Sequence, residues 1–129
     1  MYRAVVFDLW QTLAVYPEDA SAEFRNAWAE SIGVGAERLD EHWHGYSVYA
    51  RRESGPIRDA IEALYAELGV EADAELVLQS RLDLTRRALV PVDGAVDTLL
   101  ELRRRGLRTG LISNCTEDVS LVWGETPFA

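Results

Sequence analysis

Four polar side chains with nucleophilic or hydrogen-bonding groups stand at the ends of two short apolar runs. Asp8 and Thr12 follow the first run, and Ser113 and Asn114 follow the second. A carboxylate can attack an electrophilic phosphorus or carbon atom when neighbouring donors stabilise the developing charge. Thr12, Ser113 and the backbone amides of a loop that enters a helix are donors of this kind. The residue types therefore predict covalent catalysis through an acyl phosphate or an ester.

The two apolar runs that carry these residues are expected to be β-strands. They cover residues 2–7 and 107–113, and neither alternates between apolar and polar positions. Such runs are typical of strands buried on both faces of a parallel sheet. In open α/β sheets, ligands bind at the carboxyl ends of the strands. If the two strands are neighbours, the four polar side chains converge on one crevice.

Helical periodicity fills the chain between the two strands. Apolar residues recur at helical spacing over four segments, at about 18–32, 36–52, 57–68 and 73–89, and a fifth helix follows Pro91. Gly69 is expected to end the third helix, and Asp73 and Asp93 are expected to cap the N-termini of the fourth and fifth. Only the fifth helix is needed for a right-handed crossover between parallel strands. The other four are therefore expected to be an insertion.

Both motifs resemble those of the haloacid dehalogenase superfamily. Its first motif is a hydrophobic strand followed by Asp-x-Asp-x-Thr, which VVFDLWQTL matches at Asp8, Thr12 and Leu13. Its second is a hydrophobic strand that ends in Ser or Thr, which LRTGLISN matches at Ser113 with Asn114 following. The resemblance spans essentially the whole chain.

The resemblance implies an α/β fold with a partial, Rossmann-like parallel sheet and an inserted four-helix cap. The core, of the haloacid dehalogenase type, would comprise residues 1–16 and 89–129, and the cap residues 17–88. Four-helix caps of this kind follow the first motif in many members of the superfamily.

The resemblance also implies roles for the matched residues. Asp8 would be the nucleophile, Thr12 and Ser113 would position the transferring group, and Asn114 would support the loop or contact a small anionic substrate. Arg25, on the first helix of the cap, would bind that anion as cap arginines of dehalogenases do. A solvated surface arginine is the alternative for Arg25.

Trp10 is the main departure from the motif, because it replaces the second aspartate, which acts as general acid and base. Loss of such help typically slows a reaction by roughly 10²–10⁴. In the phosphatase branch Mg²⁺ would be bound by Asp8 and by the backbone carbonyl of Trp10, which survives the side-chain change. In the dehalogenase branch no cofactor is needed, since a halide leaves without a proton. Both branches stay open, as does a non-catalytic protein derived from the fold.

Composition excludes several classes of partner. The net charge is −9, and all 13 basic residues are arginine, with no basic stripe that would bind nucleic acid. No apolar run approaches the roughly 20 residues that cross a bilayer, so no membrane partner is expected. One cysteine allows no internal disulfide. These features predict a cytoplasmic protein.

The later motifs of the superfamily, a Lys or Arg and then acidic metal ligands, have no match after Asn114. We therefore expect the 129 residues to be the N-terminal portion of a longer hydrolase, inactive alone. An unpaired parallel strand edge invites association. We expect it to be covered by a C-terminal half of the protein or by a second copy in a homo-oligomer.

Overall fold

The structure, a computed structural model, describes all residues from Met1 to Ala129. It is a mixed α/β fold that is mostly helical. In chain order the elements are β1 (Ala4–Phe7), α1 (Glu18–Ser31), α2 (Ala36–Trp43), α3 (Tyr46–Ser54), α4 (Ile57–Leu68), α5 (Ala74–Ala88), α6 (Ala95–Arg104), β2 (Arg108–Leu111) and α7 (Glu117–Val122), followed by a 3₁₀ turn (Trp123–Glu125). None of the helices combines the length and the apolar character that a membrane span requires.

The two strands are parallel neighbours, as predicted from the sequence. Val5 lies opposite Thr109 and Phe7 opposite Leu111, and α6 makes the crossover between them. The carboxyl ends of both strands therefore open at the same edge of the sheet.

The prediction that both faces of these strands are buried is wrong. Burial alternates along each strand: Phe7 and Leu111 pack against the core, whereas Val6 is 57% exposed. The cause is the position of α6, which packs on β2 and, through Leu99, covers only one face. Strands covered on one side bury every second residue.

Helices α1 to α5 form the helical block of the molecule. Its largest fully buried side chains are Leu39, Val48, Ile57, Ile61 and Leu64, and they belong to the same apolar cluster as Leu9 and Leu13 beside the sheet. The block has five helices rather than the predicted four. The predicted second helix is interrupted at Gly45, whose amide donates to the carbonyl of His42 and whose extended backbone (ψ 148°) starts a new helix.

Local signals at the helix ends are confirmed in two cases and wrong in one. Gly69 ends α4 in the left-handed region (φ 66°), and the Asp73 carboxylate accepts a 2.9 Å hydrogen bond from the amide of Glu75. Asp93, however, does not cap α6. The residue at that N-terminus is Gly94, because the chain enters the helix with φ at 82°, a conformation that glycine adopts without steric penalty.

Replacing Asp73 by Ala is expected to lower the free energy of unfolding by about 1 kcal/mol, because the first turn of α5 loses its only side-chain cap. Chemical denaturation measures the change. Glu71→Ala, two residues upstream and exposed, is the control. An equal loss in both variants would show that the cap contributes nothing specific.

Candidate functional site

The loop that follows β1 is fixed by its backbone. The carbonyl of Leu9 accepts hydrogen bonds from the amides of Thr12 (3.2 Å), Leu13 (2.8 Å) and Ala14 (3.1 Å). Leu9 and Ala14 are fully buried, whereas Asp8 and Thr12 are exposed. The apolar anchors therefore hold the loop while its polar side chains face outward.

Gln11 lies at the tip of this loop in the left-handed region, with φ at 64°. It is the only residue other than glycine with a positive φ. For an L-residue this conformation costs roughly 1–2 kcal/mol, and it is typical of sites where surrounding contacts impose the backbone. The loop between Asp8 and Thr12 therefore holds a strained conformation.

Replacing Gln11 by Gly is expected to raise the free energy of unfolding by up to about 1 kcal/mol, since glycine removes the strain at some cost in backbone entropy. Gln11→Ala keeps the strain and serves as the control, with a change near zero. Thermal denaturation of both variants measures the effect. A Gly variant less stable than the Ala variant would contradict the strain.

The ends of the two strands meet as the sequence predicts. The amide of Ile112 donates a 2.9 Å hydrogen bond to the carbonyl of Phe7, so the parallel pairing continues past Leu111, and Asp8 and Ser113 follow strand ends at the same edge of the sheet. Ser113 is half-buried and Asn114 is exposed.

A cavity of about 530 Å³ lies between the helical block and this edge of the sheet. Of the residues predicted for the site, Trp10, Arg25 and Asn114 line it. Asp8, Thr12 and Ser113 lie outside the lining. The negative charge of Asp8 nevertheless contributes to raising the pKa of the Cys115 thiol, which is part of the wall.

Trp10 closes one side of the cavity. Its half-buried ring packs edge-to-face on Tyr16, with the centroids 5.3 Å apart. The side chain that stands in place of the second aspartate is thus part of the apolar wall.

The Mg²⁺ ligands that the sequence predicts for the phosphatase branch are Asp8 and the backbone carbonyl of Trp10, and this binding stays a prediction. The structure groups no three His, Cys, Asp or Glu side chains around a common point. The Asp8 carboxylate and the Trp10 carbonyl would supply two oxygen atoms, and water and substrate oxygen atoms would have to complete the octahedral coordination that Mg²⁺ requires. No step proposed below passes through a metal ion.

Arg25 lies in the cavity wall and forms an ion pair with Asp40 (Nε to Oδ1, 3.2 Å). Its positive charge is therefore already compensated. Its contact with a substrate stays a prediction.

Sequence reasoning missed two arginines, Arg52 and Arg81, that also line the cavity. Arg52 is buried, and its guanidinium carbon lies 4.8 Å from the Trp43 ring and 4.9 Å from the Tyr49 ring. The spacing of Tyr49 and Arg52, three residues apart on a helix, is the local signal that indicates this stacking. No residue spacing in the sequence predicts that Arg81, on α5, lies in the same cavity.

The segment after Asn114 is tied to the helical block by the carboxylates of α7. Asp118 is buried, accepts a 2.7 Å hydrogen bond from Thr85, and lies 3.4 Å from the Nε of Arg81. Glu117 accepts a 2.8 Å hydrogen bond from the amide of Ile57, at the start of α4. These contacts fix the two walls of the cavity relative to each other.

Cys115 lies in the cavity wall beside three carboxylates. Partial burial raises the pKa of its thiol, and the negative charges of Asp118, Glu53 and Asp8 raise it further. The thiolate is the reactive form of cysteine. Cys115 is therefore expected to react slowly at neutral pH despite its exposure.

Alkylation of Cys115 by iodoacetamide at pH 8 is expected to be several-fold slower in the folded chain than in the urea-unfolded chain, because the folded chain holds less thiolate. Cys115 is the single cysteine, so the intact mass reports one site. Equal rates in the two states would show that the carboxylates do not act on the thiol.

Neither a scan against protein-family models nor a search of curated protein sequences returns a match for this chain.

Proposed function

We propose that this chain carries the nucleophile of a hydrolase like those of the haloacid dehalogenase superfamily, with Asp8 attacking a small anionic substrate. The observation that supports the proposal most is the parallel pairing of β1 and β2, because the exposed Asp8 and the half-buried Ser113 then follow strand ends at the same edge of the sheet. Ligand sites of open α/β sheets lie at such an edge.

The proposed architecture is a partial, Rossmann-like core (1–16 and 89–129) with an inserted helical cap (17–88). The cavity between the helical block and the sheet edge supports it. In such a fold the substrate enters between cap and core, and the rigid loop at Leu9 holds Asp8 in place. Preorganisation of this kind lowers the barrier of the attack.

The reaction has two steps. A carboxylate oxygen of Asp8 attacks the carbon that bears the halogen, and the electrons of the carbon–halogen bond leave with the halide. Water then attacks the carbonyl carbon of the resulting ester, loses a proton to solvent, and releases the hydroxy acid with Asp8 restored. Thr12 and Ser113 would position the substrate.

Trp10 favours the dehalogenase branch over the phosphatase branch. An indole ring cannot protonate a leaving alcohol, whereas a halide needs no proton. The half-buried packing of Trp10 on Tyr16 adds an apolar wall suited to a carbon skeleton.

The test of the proposal is product release by the chain in a single turnover, collected over hours at high protein concentration, because repeated turnover by the chain alone is not expected. Halide release from 2-bromopropionate is measured beside phosphate release from an aryl phosphate with Mg²⁺. The proposal predicts halide above the spontaneous rate, in excess of phosphate. Neither product above the spontaneous rate would contradict it.

Replacing Trp10 by Asp separates the two branches: the dehalogenase branch predicts no gain in Mg²⁺-dependent release of phosphate, whereas the phosphatase branch predicts a gain of about 10²-fold, at the lower end of what a general acid contributes. Trp10→Asn opens the same space without the acid and is the control. An unchanged rate in the Asp variant would count against the phosphatase branch altogether.

A second candidate, a non-catalytic interaction protein derived from the same fold, is favoured by the exposed apolar side chains of the sheet. Val6 is 57% exposed and Ile112 is 75% exposed. Apolar surface on a sheet with free edges suits association with another copy of the chain. This candidate predicts a dimer or larger species by light scattering at micromolar concentration, and a stable monomer would contradict it.

A further inference from the structure

Arg52 is a buried cation with unused hydrogen-bonding capacity. Its side chain is only 9% exposed, and its Nε is fully buried without a hydrogen-bond partner. The nearest carboxylate, that of Glu53, lies 3.8 Å from Nε, outside hydrogen-bonding distance. Leaving such a donor without a hydrogen bond is unfavourable, and more so for a charged group.

Arg81 repeats this pattern in the same cavity. Its buried Nε forms an ion pair with the Asp118 carboxylate (3.4 Å) without a hydrogen bond, and its Nη2 donates to the Thr116 hydroxyl (3.1 Å). Its guanidinium carbon lies 5.5 Å from the Trp43 ring, on which Arg52 also stacks. Two cations, each with an Nε–H that makes no hydrogen bond, therefore share one aromatic neighbour and one cavity.

The ion pairs of the three arginines in the cavity wall indicate the net charge of a ligand that would bind there. Arg25 is paired with Asp40, and Arg81 lies 3.4 Å from Asp118. Arg52 has only the long contact to Glu53, which is exposed. One positive charge remains weakly compensated, which suits a single negative charge better than two.

The shape and lining of the cavity indicate the body of the ligand. Its volume of about 530 Å³ lies in the range of sites for drug-sized molecules and far exceeds what a two- or three-carbon acid fills. Aromatic rings form much of the wall, namely those of Trp10, Phe24, Trp28, Trp43 and Tyr49. Such walls bind apolar and aryl groups.

We infer that the cavity is a binding site for an aryl carboxylate, whose two oxygen atoms accept hydrogen bonds from Arg52 and Arg81 and whose ring packs among the aromatic side chains. A planar carboxylate matches the fork of donors that a guanidinium presents. Trp43 and Tyr49 hold the Arg52 plane in position, and Thr116 and Asp118 hold Arg81. The site does not depend on nucleophilic chemistry at Asp8.

The test is a titration of the ¹⁵N-labelled chain with phenylacetate, followed through the arginine Nε–H resonances. Phenylacetate is expected to shift the resonances of Arg52 and Arg81 with saturation. Phenylacetamide, the neutral analogue, and acetate, which lacks the ring, are each expected to bind at least about tenfold more weakly, the ratio that loss of one charged hydrogen bond produces.

Arg52→Gln is expected to weaken phenylacetate binding at least about tenfold. Arg104→Gln, which removes an exposed arginine paired with Glu101, is the matched control and should leave binding unchanged. Arg81→Gln provides a second test if the Arg52 variant does not fold, as judged by its thermal melt. Equal binding of phenylacetamide, unchanged binding in a folded Arg52 or Arg81 variant, or no saturable shift would overturn the inference.

Discussion

Replacing Asp8 by Asn is expected to lower halide release by about 10³-fold or more, because the amide cannot form the ester intermediate. The side chain keeps its size. Asp8 is exposed, so the fold should be retained. The loss would therefore report chemistry rather than stability.

The matched control is Asp93→Asn, which removes one exposed carboxylate from the same chain without touching the strand edge. It is expected to release halide at the rate of the unchanged chain. Thermal melts of both variants should coincide with that of the parent within a few degrees. An Asp8 variant with the parent's rate would remove Asp8 from the mechanism.

Replacing Trp28 by Ala is expected to lower the free energy of unfolding by about 3–5 kcal/mol, the usual cost of a large aromatic residue lost from a core. Trp28 is 3% exposed, and its indole N–H donates a 2.9 Å hydrogen bond to the Tyr65 hydroxyl. Its ring packs edge-to-face on Trp43, with the centroids 5.2 Å apart. It thus joins α1, α2 and α4.

Trp28→Phe separates packing from hydrogen bonding. It keeps most of the ring but leaves the buried Tyr65 hydroxyl without its donor, so a smaller loss of about 1–2 kcal/mol is expected. Urea denaturation of both variants gives the two values. A Trp28→Ala variant that loses less than the Phe variant would contradict the role of Trp28 in the core. Since domains of this size are stable by roughly 5–15 kcal/mol, the Ala variant should be visibly less stable at room temperature.

Two of the local signals at helix ends predicted the structure, whereas the signal at Asp93 did not. Gly69 ends α4 and Asp73 caps α5 because each signal depends on residues a few positions away. The parallel pairing of the two strands followed from the single crossover helix between them.

Where packing decides the structure, the sequence did not predict it. No proline or cluster of turn residues accompanies the break at Gly45. Because the apolar residues keep helical spacing across it, the sequence predicted one continuous helix. Which face of β1 is exposed depends on the position of α6. A short apolar run has the same sequence pattern whether one or both faces of the strand are covered.

The candidate site shows the same division. Asp8 and Ser113 were predicted to follow neighbouring strand ends because strand ends can be located from the sequence, and the parallel pairing confirms that these ends share one edge of the sheet. The arginine pair was missed, since the burial of Arg52 results from rings on α2 and α3 and from the approach of α5. No spacing in the chain links Arg52 to Arg81.

The most direct measurement of the central claim is the site of covalent attachment. The chain is incubated with 2-bromopropionate, digested, and mapped by mass spectrometry, beside the Asp8→Asn and Asp93→Asn variants. A nucleophilic Asp8 predicts an ester on the peptide that contains Asp8 in the parent and in the Asp93 variant, and its absence in the Asp8 variant. Modification confined to Cys115, or the same ester pattern in all three chains, would contradict a nucleophilic role for Asp8.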